Sequence, residues 1–72
     1  MGAQMSEKTD KLILDLIKQH YRPYDTHEEF RRGFSAYQAG HFRNPHRPGS
    51  IAAQAWEFGA SAARHYARAT AA

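Results

Sequence analysis

The apolar positions fall into three runs separated by polar, proline-bearing breaks. The first holds Leu12, Ile13, Leu14, Leu16, Ile17 and Tyr21, with Lys11, Asp15, Lys18 and Gln19 between them. Recurrence at three and four residues predicts a helix with a broad apolar arc over about residues 7–21. Ser6 and Thr9 are N-cap types, and Glu7 and Asp10 suit a first turn. Pro23 ends the helix, because the residue before a proline is driven out of the α region. An arc this wide calls for a partner, and packing against the rest of the chain is the expectation. Residues 1–5 lack the pattern and are expected to be disordered.

The second run is Phe30, Gly33, Phe34 and Tyr37, which predicts a helix over 27–39. Thr26-His27-Glu28-Glu29 reads as a capping box at its start, and Gly40 as the left-handed residue after its end. A loop from His41 to Gly49 follows, with Asn44-Pro45 as its turn signal: asparagine bonds the backbone ahead while proline fixes φ. Ser50 caps a third helix over 51–69, where ten of the last 22 residues are alanine. On its wheel Ala52, Trp56, Gly59, Ala63 and Ala67 make one stripe, and Ile51, Ala55, Phe58 and Ala62 another. Two stripes predict two neighbours: the glycine stripe on helix 2, the Phe58 stripe on helix 1. No alternating strand pattern occurs. The fold class expected is all-α, one small three-helix domain over 6–72 built on an antiparallel hairpin of helices 2 and 3.

One motif occurs twice, as Phe30-x-x-Gly33-x-x-Ala36 and Trp56-x-x-Gly59-x-x-Ala62. Aromatic and glycine share a helical face. Glycine inside a helix costs ~1 kcal/mol relative to alanine. A matched pair therefore predicts a close crossing at which the two backbones meet.

Seventy-two residues allow one small core, which is marginal unless the helices pack closely or the chain oligomerises. The chain has no cysteine, so neither disulfides nor cysteine-bound zinc can reinforce it. No apolar run is long enough to span a membrane and no signal-peptide core is present, which points to the cytoplasm. The net charge of +3 conceals an asymmetry. Residues 1–29 carry four bases and six acids, giving −2, while residues 30–72 carry six arginines and one acid, Glu57, giving +5. Arginine's planar fork suits phosphate, so the second part is a candidate nucleic-acid module.

Candidate contacts are Arg31, Arg32, Arg43, His46, Arg47, Arg64 and Arg68. Phe42 lies beside the loop arginines and is expected to tuck under the loop, with stacking on an unpaired base as the alternative. No metal or cofactor is expected, since no cysteine or nearby acid completes a set with His41 and His46. No phosphate-cradling glycine loop or nucleophile elbow is present, so a non-catalytic protein is the reading.

Arg32-Gly33-Phe34, Ala39-Gly40, Asn44-Pro45, Gly49-Ser50 and Trp56-x-x-Gly59 occur in the order seen in the ribosome modulation factor family. The chain resembles that family over about residues 30–68, including its small phage-related members grouped with the ciprofloxacin-resistance protein type. On that resemblance Gly33, Phe34, Gly40, Asn44, Pro45, Trp56 and Gly59 are the structural motif. It implies binding to rRNA of the small ribosomal subunit and modulation of translation. The chain departs from the family in being less basic and in adding an acidic-leaning first helix. The alternative is a phage- or mobile-element-encoded module that binds a host protein through helix 1 or the loop 41–49. Helix 1 could equally serve a homodimer.

Overall fold

The computed structural model describes residues 7–71, and the side chains of residues 8–71. It is all-α: α1 (Glu7–Gln19), a 3₁₀ turn (Tyr24–Thr26), α2 (Glu28–Gln38) and α3 (Ile51–Thr70). No strand occurs among the described residues, and no helix there is long and apolar enough to cross a membrane. Residues 1–5, expected to be disordered, lie outside the described residues.

The two glycine motifs form the centre of the fold. A Cβ on Gly33 would fall on the Trp56 carbonyl, and a Cβ on Gly59 would fall on the Phe30 carbonyl. Each glycine thus receives the backbone of the aromatic residue that opens the other motif. Phe30 and Trp56 are 1% and 3% exposed, and Ala55, Ala62 and Ala63 are buried around them. The core is made largely of backbone and methyl groups, because the helices are too close to admit larger side chains. The close crossing expected from the repeat is present.

Ends are set by local chemistry. Gly40 has φ +83, Gly40 N–H donates to Tyr37 O (3.0 Å) and His41 N–H donates to Ala36 O (2.8 Å), the paired bonds of a Schellman motif. Ser50 caps α3, its hydroxyl accepting from Ala53 N–H at 3.1 Å and donating to Arg47 O at 2.8 Å. At the start of α2 the expected capping box does not form. His27 is the N-cap, its Nδ1 accepting from Glu29 N–H at 3.0 Å, while Thr26 Oγ1 donates to Pro23 O. The Glu29 carboxylate is engaged elsewhere, which leaves no reciprocal partner for the box.

α1 ends two residues earlier than its apolar pattern. His20 N–H and Tyr21 N–H bond back three residues, to Ile17 O and Lys18 O, so the last turn tightens before Pro23. That turn swings Tyr21 inward. Its ring lies 5.8 Å from Phe30 and 5.4 Å from Phe58, and its hydroxyl is 3.0 Å from Ser61 Oγ. Tyr24 meets Phe58 edge-on at 5.1 Å. Phe58 therefore meets Tyr21, the last residue of the predicted first helix, and Tyr24 in the turn that follows. Along α1 itself, Ile17 shares a groove with His65 and Ala69 of α3. Leu12 and Leu16 stay 61% and 59% exposed, so the expectation that the whole arc packs internally holds for only part of it.

Candidate nucleic-acid interface

The loop between α2 and α3 is fixed by two polar side chains. Asn44 Oδ1 accepts from His46 N–H at 3.0 Å, the asparagine turn that the sequence pattern indicates. Its amide then donates to Ala53 O at 2.9 Å and to Glu57 Oε1 at 3.1 Å, which ties the loop to α3. His46 ties the same loop to α2, with Nε2 2.6 Å from Glu29 Oε1. Arg47 O accepts from Ser50 N–H at 3.2 Å and Gly49 has φ +86, so Pro48-Gly49 makes a type II turn into α3.

Among the described residues Glu29 is the buried charged one. It accepts from His46 on one oxygen and from Arg32 Nη1 on the other at 2.9 Å. Because a carboxylate only accepts, His46 carries its proton on Nε2. The His46 hydrogen bond holds the Glu29 carboxyl below its ordinary value, against the opposing effect of burial and with help from the Arg32 charge. Arg32 Nη2 also reaches Glu28 Oε1 at 3.0 Å. Two of the candidate contacts, His46 and Arg32, are thus engaged within the fold, the first turned inward and the second spanning two acids.

The other five stand apart. Arg31, Arg43, Arg47, Arg64 and Arg68 are exposed, and none forms an ion pair among the described residues. By contrast Arg22, in the turn after α1, lies 3.8 Å from Asp25. Arg43 and Arg47 sit on the clamped loop. Arg64 lines a cleft with Tyr37, Phe42 and Glu57, whereas Arg31 and Arg32 line a separate shallow groove on α2. The structure therefore brings Arg64 to the loop and leaves Arg31 on another face.

Phe42 overturns its expectation. It is 67% exposed, resting against Tyr37 with ring centroids 5.0 Å apart, and does not tuck under the loop. Sequence reasoning missed Glu29, Tyr37 and Glu57. Glu29 was absorbed by the capping box and Tyr37 by the apolar stripe. Nothing local marks Glu57 as the partner of an asparagine thirteen residues earlier.

Among the described residues no group of three or more histidine, cysteine, aspartate or glutamate side chains could hold a metal ion. Comparison of the chain with protein-family models, with curated proteins and with solved structures finds no match.

Proposed function

We propose that the protein is a non-catalytic RNA-binding protein that acts on the small ribosomal subunit in the cytoplasm and modulates translation, in the manner of the ribosome modulation factor family. One observation carries the reading: the five arginines Arg31, Arg43, Arg47, Arg64 and Arg68 are exposed and unpaired with acids among the described residues. Guanidinium groups left free in this way attract phosphate, and they lie on a scaffold whose loop is held at both sides. Glu57, the one acid after residue 29, accepts a hydrogen bond from Asn44, which moderates its opposition to that field.

A second reading is favoured by a different observation. Leu12 and Leu16, four residues apart on α1, are exposed together, as an apolar anchor for a protein partner would be. Co-sedimentation with ribosomes separates the two. The RNA reading predicts that the protein travels with the small subunit at low salt and is released at high salt, because phosphate contacts release counterions. Failure to travel with ribosomes at low salt would overturn it. Retention that ignores salt but is lost in Leu12→Gln/Leu16→Gln would favour the protein-partner reading.

A further inference from the structure

Phe42 is the least expected surface feature of the molecule. A single exposed apolar side chain is ordinary on a flexible loop, but this loop is not free. The Schellman motif fixes the backbone at the residue before Phe42, through the His41 N–H to Ala36 O bond of 2.8 Å. Asn44 fixes it two residues after, through Ala53 O and Glu57. The ring is braced from behind by Tyr37 at 5.0 Å, with the planes tilted by 56°. Two thirds of the residue still faces solvent. Arg64 lines the same cleft and Arg43 is the next residue, both exposed and both without an ion-pair partner among the described residues.

We propose that the cleft formed by Tyr37, Phe42, Glu57 and Arg64 takes one unpaired RNA base, stacked on Phe42, with Arg43 and Arg64 on the flanking phosphates. The proposal rests on the RNA reading above and adds to it the part of the nucleic acid that is recognised. An aromatic face presented beside arginines is the arrangement that engages single-stranded nucleotides, since every base has a π-face and every linkage a charge. Glu57 sharpens the choice of base. One of its oxygens accepts from Asn44 at 3.1 Å, and its acceptor capacity suits a base bearing an exocyclic amino group. Cytosine has such a group and uracil does not.

The test is the binding of short single-stranded RNA to the full chain at fixed low salt, read by fluorescence anisotropy. Phe42→Ala is expected to weaken binding of a cytidine oligonucleotide roughly 5- to 150-fold, the range that base–aromatic stacking supports. Its salt slope should stay as in the native chain, because no phosphate contact is lost. Phe42→Trp is expected to bind at least as tightly as the native chain. An abasic oligonucleotide of the same length is expected to bind the native chain as weakly as cytidine RNA binds Phe42→Ala. This comparison needs no variant and decides the matter even if a substitution disturbs the fold. Uridine RNA is expected to bind less tightly than cytidine RNA, and equal binding would remove Glu57 from the site. Equal affinity of the native chain for abasic and cytidine RNA would overturn the base site while leaving phosphate binding in place. No binding of either at low salt would overturn the RNA reading and the base site together.

Discussion

α1 and the crossed pair of α2 and α3 solve the burial problem in opposite ways. α1 is rich in leucine and isoleucine, yet none of its described side chains is buried, and Leu12 and Leu16 are mostly in solvent. The crossed pair is rich in alanine and glycine, yet it holds every buried residue among those described: Glu29, Phe30, Gly33, Ala53, Ala55, Trp56, Gly59, Ala62 and Ala63. α1 also leaves Asp10 Oδ1 out of solvent with no hydrogen-bond partner among the described residues. The lesson is that apolar content does not measure burial. Two glycines that let backbones touch organise more of this core than five aliphatic side chains on a helix that meets α3 along part of its length.

The largest effect is expected at the crossing of α2 and α3. Gly59→Ala puts a methyl group against the Phe30 carbonyl carbon, where a Cβ would stand 2.7 Å away, and against Phe34 N at 2.9 Å. Neither obstacle is a side chain that can rotate aside. The helices must separate, so stability should fall by about 1–3 kcal/mol, with Gly59→Leu at or beyond the upper end. At this chain length each 1 kcal/mol lowers Tm by about 4–8 °C, which a thermal melt followed by circular dichroism resolves. An unchanged melting temperature would show that the backbones do not meet there.

That crossing was legible in the sequence because both motifs state it locally: an aromatic and a glycine one turn apart, twice. Gly40 and Ser50 were legible for the same reason, since a left-handed residue after a helix and a hydroxyl before one are local requirements. The α2 cap was not. Thr26 and Glu29 satisfy the capping-box spacing, but His46, seventeen residues later, takes Glu29, and His27 then serves as the cap. Phe42 was misplaced because an apolar side chain by itself does not reveal that its ring rests against the half-buried Tyr37 and otherwise faces solvent. The candidate arginines could be named from composition. Which of them remain free of acids depends on tertiary placement, and only Arg32 sits at helical spacing from two acids.

A smaller effect sharpens the loop side of the comparison. The Glu29 carboxyl is held below its ordinary 4.5, so its contribution to stability is full above about that pH. The contribution is lost as pH falls through the lowered folded value. Glu29→Gln lacks this titration. The native chain should therefore be the more stable of the two at neutral pH, with the gap closing as the pH falls below 4.5. Urea midpoints for both proteins across that range check the sign. A gap that widens as the pH falls below 4.5 would contradict the placement of Glu29 against His46 and Arg32.

The smallest effect is expected on α1. Leu12→Gln and Leu16→Gln each replace a side chain that is already mostly in solvent, so stability should change by no more than about 0.5 kcal/mol. A larger loss, or a loss that depends on protein concentration, would mean that a second copy covers this face.

The proposal that unpaired arginines on the crossed helix pair and its loop bind RNA phosphate rests on their exposure without acidic partners among the described residues. It is tested most directly by measuring the affinity of the native chain and of Arg43→Ala/Arg47→Ala for single-stranded RNA over a salt series. The native chain should show log affinity falling linearly with log salt, at a slope of about −0.7 for each phosphate contact. The double variant should bind more weakly, with a slope shallower by up to about 1.4 and unchanged helical content. An identical slope in both proteins, or no RNA binding by the native chain at low salt, would contradict the claim.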